Sequence, residues 1–248
     1  MTKTINLKLE QILIHIPHSS LNLPSYFFKY TLKDSEYIDN FNNYICDKEV
    51  PKLVPNKFNK LIFNYSRIFC DVERFRDDNE EIMSEKGMGV CYICDSKNNK
   101  FIDYDNNYKN NILTNIYDLH HNNLDNITTD ILNKNNKCYI IDLHSFSDSL
   151  VKDLFNITDN PDICLGYEED YIDLDLLEYT KEFFSKKGYT VKYNYPYKGT
   201  IIPNKYYKTN DNRVKSLMIE INKRVYLNNN FDKFKNIMYE YFNLIIDN

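Results

Sequence analysis

The sequence of 248 residues lacks any apolar run near the roughly 18 residues that a membrane-spanning helix needs. Its first residues, MTKTINLKLEQ, lack the apolar stretch of a secretory signal peptide, so we expect a cytoplasmic location. The net charge of −5 includes no excess of positive charge, which argues against a nucleic-acid or membrane partner. Tryptophan is absent as well, and the 22 Tyr and 15 Phe residues are expected to fill part of the core.

A cysteine-based structural zinc site is also missing from the sequence. Cys91 and Cys94 form a CxxC motif, but no second pair of Cys or His stands at the spacing that such a site requires. Cys70, Cys138 and Cys164 lie in or beside apolar runs, where a free thiol packs as a small apolar group. Disulfide bonds are not expected in a cytoplasmic chain of this size. We therefore interpret the cysteines as structural residues.

Short apolar runs alternate with helical patterns along the chain. The runs predict strands at 11–16, 60–65, 68–72, 138–143, 191–193 and 216–221. Helices are predicted from an N-cap at Asp34 to before Pro51, over 104–132 with Leu119 as one apolar position, over 174–186 up to Gly188, and over 231–246. Strands that alternate with helices imply crossover connections, so an α/β fold is expected, with a largely parallel or mixed sheet covered on both faces.

No repeat or linker divides the sequence, and its length suits one domain over residues 1–248. Residues 74–100 are polar, with two glycines, and predict a long loop. A loop of that length is uncommon unless it covers or shapes a site.

Ionisable residues stand at the ends of, or within, three of the apolar runs. His18 follows ILIHIP, His144 follows CYIIDL, and Glu220 lies inside SLMIEI. The carboxyl ends of strands meet at one edge of an open α/β sheet, where ligands bind, so the two histidines could share a metal ion there. Glu220 is costly to bury unless it takes part in catalysis or forms an ion pair with Arg67 or Arg224.

Two residues near these histidines are given supporting roles. Asp142 would project to the same side of its strand as His144 and could orient a ligand. His15 lies three residues before His18, so strand alternation would put it on the opposite face. We therefore interpret His15 as structural.

Five segments of the chain resemble, in order, the serial signatures of the N-formylglutamate amidohydrolases. They are HIPHSS (15–20), SRIFCDVER (66–74), HHNNL (120–124), IDLHSFS (141–147) and MIEINKRVY (218–226). The layout is also similar to that of the zinc carboxypeptidases and aspartoacylases. The resemblance implies a three-layer αβα sandwich with a mixed, largely parallel central sheet. It also implies a hydrolase of linear amide bonds with one zinc ion per chain.

The resemblance assigns the metal ligands residue by residue. His18 and His144 would bind the zinc ion, as the strand ends already suggest. The third ligand would be an acidic residue from the following helix, and Asp39 in YIDNF matches it. Asp47 and Asp71 remain the alternatives to Asp39.

Further roles follow from the same resemblance. Glu220 would be the general base, Arg67 would polarise the scissile carbonyl, and Arg74 would hold a substrate carboxylate. Other residues would face the substrate, namely His121, Lys198 and Gly199. His120, next to His121 on the helix, would point elsewhere and is expected to be exposed to solvent.

The sequence departs from the family at three positions. Glu73 replaces an Asn, Thr200 replaces a Gly, and Asn204 replaces an Arg. The expected reaction is hydrolysis of a small N-acyl acidic amino acid, N-formyl substrates included, by metal-activated water. The alternatives are a carboxypeptidase-like amidase acting on a peptide or cell-wall fragment, and a non-catalytic ligand-binding module. The acyl group, the pathway and the oligomeric state stay open.

Overall fold

A computed structural model describes residues 5–209 and 211–246 of the chain. A six-stranded sheet with the order β2-β1-β3-β6-β4-β5 lies at its centre. The strands are β1 Ile12–Ile16, β2 Asn59–Ile62, β3 Cys138–Phe146, β4 Ile163–Gly166, β5 Val191–Tyr193 and β6 Val214–Asn222. Neighbouring strands are parallel except for β4 and β6, which pair antiparallel. The expected mixed, largely parallel α/β sheet is confirmed.

Helices lie on both faces of this sheet. They are α1 Ser35–Ile45, α2 Asn106–Ile112, α3 Asp118–Asn135, α4 Asp148–Phe155, α5 Leu174–Lys186, α6 Lys223–Tyr226 and α7 Phe231–Leu244. Ile12, Ile14 and Ile16 of β1 belong to the apolar cluster that includes α5 and α7, whereas Leu13 belongs to the cluster that includes α3. Successive side chains of a strand point to opposite faces, so the sheet is the middle of three layers.

Several predicted elements have the expected bounds. The α5 and β5 ranges match, and the Asp34 side chain caps α1 by accepting a hydrogen bond from the Tyr37 N–H at 2.8 Å. The left-handed backbone of Gly188, with φ of 90°, follows α5 as expected. All six cysteines are free. Residues 74–100 contain a 3-10 helix at Ile82–Lys86 and are otherwise irregular, as predicted.

The strand expected at 68–72 is wrong. The N–H groups of Phe69 and Cys70 both donate to the Ser66 carbonyl at 3.1 Å, so the backbone folds into turns instead of extending. Three of the short helices and strands, α4, α6 and β4, were not predicted. The helix expected over 104–132 spans α2 and α3, which are joined by a π-helical turn at Leu113–Tyr117.

Gly166 allows β4 to pass close to the loop that carries Gly199. A Cβ atom at position 166 would lie 2.2 Å from Met218 Cε and 2.3 Å from the Gly199 carbonyl oxygen. The methionine side chain can turn away, but the backbone oxygen moves only with its loop. We expect Gly166→Ala to lower the free energy of unfolding by about 1–3 kcal/mol, as measured by urea denaturation.

The double variant Gly166→Ala/Met218→Ala separates the two contacts of this added methyl group. The contact with the Gly199 oxygen persists when Met218 is shortened. The double variant should therefore have a lower free energy of unfolding than Met218→Ala alone. Unchanged stability of Gly166→Ala itself would contradict the prediction.

Candidate metal and active site

His18 and His144 meet at the carboxyl edge of the sheet. His18 follows β1 by two residues and His144 lies in β3, and their ring centroids are 5.0 Å apart. Both Nδ1 atoms face Asp47 Oδ2, at 3.8 Å from His18 and 3.5 Å from His144. The ligand atoms of these three buried side chains all lie within 4.8 Å of one another. The three residues could therefore hold a metal ion.

The other ring nitrogen of each histidine is held by a carboxylate. His18 Nε2 donates to Asp71 Oδ1 at 2.7 Å, and His144 Nε2 donates to Asp142 Oδ1 at 2.9 Å. When each imidazole is neutral and donates from Nε2, as a metal ligand would be, its lone pair is on Nδ1 and faces Asp47. His18 Nδ1 and Asp47 Oδ2 are buried without a hydrogen-bond partner. Unpartnered nitrogen and oxygen donors in this arrangement fit a divalent cation such as zinc.

The charges around the two histidines favour a cation in the same place. Burial lowers the pKa of His18 to about 4, which keeps its imidazole neutral. Burial also opposes the charged form of His144, but the carboxylates of Asp142 and Asp47 outweigh it and raise the His144 pKa well above its ordinary value. The carboxylates of Asp47 and Asp142 beside His144 would interact favourably with a divalent cation.

The structure places Asp47 beside the two histidines, and not Asp39. Asp39 lies on the exposed side of α1, whose buried residues include Ile38 and Asn42. Asp47 follows the end of α1, and its backbone N–H donates to the His18 carbonyl at 2.9 Å, which fixes the carboxylate next to the imidazole. The loop after the helix supplies the carboxylate because the buried face of α1 is already filled.

Glu220 stands directly opposite His144 in the parallel pairing of β3 and β6. It is buried, and its Oε2 atom has no hydrogen-bond partner. Burial, with the nearby Asp47 carboxylate, raises the Glu220 pKa to about 8. Neither arginine considered as its ion-pair partner forms that pair: Arg67 binds Asp71, and Arg224 binds Asp148 and Asp162.

A cavity of about 290 Å³ opens beside this group. Its lining includes every other residue expected to face the substrate, namely Arg67, Arg74, His121, Lys198 and Gly199. Asp71 Oδ2 accepts from Arg67 Nε and Nη2 at 3.2 and 2.9 Å, so Asp71 holds both the guanidinium and the His18 imidazole. Arg74 Nε donates to the Met88 carbonyl at 3.1 Å. Hydrogen bonds to other residues of the chain therefore hold both guanidiniums at the wall of the cavity.

His121 and His120 are both buried, which corrects the expectation that His120 is exposed. His121 Nε2 donates to the Val72 carbonyl at 3.0 Å, and its Nδ1 atom is buried without a partner. Burial lowers the His121 pKa to about 4, which keeps its imidazole neutral. His120 is only 6% exposed and contacts His15 instead.

The three departures from the family all line the cavity. Glu73 Oε1 lies 3.3 Å from His15 Nδ1, and burial raises the Glu73 pKa well above its ordinary range. The Thr200 hydroxyl contacts the Ser216 hydroxyl at 2.8 Å. Another part of the lining is apolar and consists of Ile45, Met83, Met88, Leu150, Leu154 and Phe155. The cavity thus combines charged groups with an apolar wall.

Within residues 5–209 and 211–246, no helix combines the length and apolar character needed to cross a membrane.

Comparison with known proteins agrees with this architecture. The family model for N-formylglutamate amidohydrolase matches residues 10–227. The solved N-formylglutamate amidohydrolase from Ralstonia eutropha JMP134 is 19% identical, with a TM-score of 0.80 over 95% of this chain and 92% of that chain. A gene product of Agrobacterium tumefaciens is 15% identical, with a TM-score of 0.69 over 98% and 93%. No curated protein matches significantly.

The two structural likenesses establish the fold, and the family model covers most of the chain. This chain therefore belongs to the N-formylglutamate amidohydrolase family, a family of hydrolases.

Proposed function

We propose that this chain is a zinc-dependent amidohydrolase that cleaves the amide bond of a small N-acyl acidic amino acid. The observation that carries the proposal is the convergence of His18 Nδ1, His144 Nδ1 and Asp47 Oδ2 beside the unpaired Glu220 carboxyl. These three side chains would hold the zinc ion. Zinc in such a site polarises a carbonyl and makes water nucleophilic near neutral pH.

Glu220 is proposed to move the proton. Its carboxyl lines the cavity, and its Oε2 atom is buried without a hydrogen-bond partner, so this oxygen is not committed to another residue. A cation among the neighbouring carboxylates would lower its pKa from the raised value, towards the range in which a carboxyl can first accept and then donate a proton. Glu220 would accept the proton of the attacking water and pass it to the leaving amine.

Arg67 and Arg74 are proposed to handle negative charge in the cavity. Arg67 is fixed by Asp71 next to His18 and would stabilise the oxyanion of the tetrahedral intermediate. Arg74 would bind a substrate carboxylate, since a guanidinium can donate two hydrogen bonds to it. His121, Lys198 and Gly199 line the same cavity and would complete the substrate site.

Residues 1–248 are proposed to act as one domain, because the late strand β6 lies between the earlier strands β3 and β4.

The apolar wall favours one second candidate, an amidase acting on a peptide or cell-wall fragment. Five of its members (Ile45, Met83, Met88, Leu150 and Leu154) belong to one continuous buried cluster. Glu73, which also lines the cavity, adds an acidic side chain to it. A larger and less acidic substrate would suit both features.

Zinc analysis together with a hydrolysis assay tests the proposal. We expect about one zinc ion per chain and release of amine from N-formyl and N-acetyl derivatives of glutamate and aspartate. Removal of the metal with a chelator should abolish this activity, and added zinc should restore it. The same panel includes N-acyl derivatives of neutral amino acids and short peptides, whose preferential hydrolysis would favour the second candidate. Bound zinc without hydrolysis of any member would contradict an enzymatic role.

A further inference from the structure

A row of buried polar side chains leads from α3 across the sheet to His144. His120 Nε2 lies 2.9 Å from His15 Nε2, and His15 Nδ1 lies 2.9 Å from Asp142 Oδ1. The same Asp142 oxygen lies 2.9 Å from His144 Nε2. The four side chains are between 0% and 6% exposed. His120, His15 and Asp142 lie behind the cavity, whose lining consists of other residues.

The order of donors along this row is determined by its carboxylate. An ionised Asp142 can only accept hydrogen bonds, so His15 donates from Nδ1 and His144 donates from Nε2. A neutral His15 that donates from Nδ1 has an acceptor at Nε2, and His120 must then donate from its own Nε2. Each member thus fixes the tautomer of the next, and in the neutral form of His144 that would bind a metal the row ends on its Nδ1 lone pair.

We propose that His15 and His120 are positioning residues that hold Asp142, and through it His144, in the orientation that binds the metal. This inference rests on the proposed zinc site formed by His18, Asp47 and His144. It assigns a role to two histidines outside the cavity.

Asp142 is held from three different parts of the fold. Its Oδ1 atom accepts from His144 on its own strand and from His15 on β1, and its Oδ2 atom accepts from the Ile201 backbone N–H at 3.1 Å. Glu73 Oε1 also lies near His15 Nδ1, at 3.3 Å. Loss of the His15 ring would remove the donor that reaches Asp142 from β1 and leave Oδ1 held by His144 alone, so Asp142 could shift together with His144.

His15, Glu73 and Asp142 also lie close enough to one another to hold a second cation. The pairing of His15 with Asp142 in adjacent strands, at hydrogen-bond distance, favours a direct hydrogen bond instead. Metal stoichiometry separates the two arrangements.

Paired substitutions of His120 test the proposal. His120→Gln keeps an amide N–H that can donate to His15, whereas His120→Leu fills similar space without a donor. Zinc affinity of the metal-free full-length proteins is measured by competition with a chelator, and the absorption spectrum of the cobalt-substituted proteins reports the ligand geometry. We expect His120→Leu to weaken zinc binding by up to about 10-fold, the lower end of the range for a direct partner of a ligand, and to alter the cobalt spectrum, and His120→Gln to restore both. His15→Phe should weaken binding at least as much.

The outcomes separate this inference from the proposed function. Zinc binding by His120→Leu equal to that of the parent overturns the positioning role alone, as does an equal loss in His120→Leu and His120→Gln. Two zinc ions in the parent, with one lost in His15→Phe, overturn it in favour of a second metal site. A parent that binds no zinc overturns both the inference and the proposed function. Melting of the metal-free proteins confirms that each variant is folded.

Discussion

Glu220→Gln is expected to lower the turnover of N-acyl amino acids by about 10²- to 10⁴-fold, the usual contribution of a general acid–base group. The zinc content should stay at the level of the parent protein. Gln is close to Glu in shape, so the cavity keeps its form, but an amide cannot take a proton from water. Glu220 lies opposite His144, outside the group formed by His18, Asp47 and His144, and for this reason the metal should remain bound.

The measurement combines amine release at saturating substrate with metal analysis of the same preparation. Glu178→Gln serves as a control for the loss of one acid, because Glu178 is exposed on α5 and accepts a hydrogen bond from the Tyr193 hydroxyl away from the cavity. It should leave turnover unchanged. Loss of zinc from Glu220→Gln would show that Glu220 is itself a ligand and that the proposed division of roles is wrong.

Asp47→Ala is expected to remove both zinc and activity, whereas Asp39→Ala should change neither. Asp47 Oδ2 lies within 4 Å of both Nδ1 atoms, at 3.8 and 3.5 Å, and is buried without a hydrogen-bond partner. The loss in zinc affinity should exceed the roughly 100-fold that removal of an outer partner costs. Asp39 is exposed, and a surface substitution changes stability by no more than about 0.5 kcal/mol.

Asp71→Asn completes the series of acidic residues considered as the third ligand. Asp71 supports His18 from the Nε2 side, so its replacement should weaken zinc binding by an intermediate factor of about 10 to 100. Zinc affinity should therefore fall in the order parent and Asp39→Ala, then Asp71→Asn, then Asp47→Ala. Near-parental zinc affinity in Asp47→Ala would refute the ligand assignment.

The residues that the sequence places at strand ends lie together in the fold. His18, His144 and Glu220 adjoin or interrupt apolar runs, and the carboxyl edge of a parallel sheet brings such positions together. Asp47 could not be chosen in this way. It lies in a loop, and its place depends on a backbone hydrogen bond to the His18 carbonyl, which leaves no local pattern in the sequence.

Two histidines were misplaced for identifiable reasons. β1 ends at Ile16, so strand alternation does not extend from His15 to His18, and His15 instead reaches Asp142 on the neighbouring strand. His120 is buried and Leu119 is 57% exposed, the reverse of the expected helix face. The π-helical turn before α3 contains more residues per turn than an α-helix, so it changes which side chains of α3 face the core. A prediction based on 3.6 residues per turn does not include this change.

The long, regular elements were predicted well, although the three-residue strand β5 was predicted correctly too. α5 has 13 residues with a clear apolar face, and its bounds were predicted correctly. β4 has only four residues and α4 only eight. These lengths are too short to show the two-residue alternation of a strand or the 3.6-residue period of a helix. The segment 68–72 is apolar but folds through hydrogen bonds to Ser66, which composition alone does not show.

The direct pairing of His144 with Glu220 ties their separation to backbone hydrogen bonds between two adjacent strands. Neighbouring strands lie about 4.8 Å apart in any sheet, so this spacing does not depend on the loops that connect them. Lengthening of the connections at 156–162 or 187–190 is therefore compatible with an intact pair. Deletion of a single residue in the part of β6 before Glu220 would break the pair, since it would turn the Glu220 carboxyl to the opposite face of the sheet.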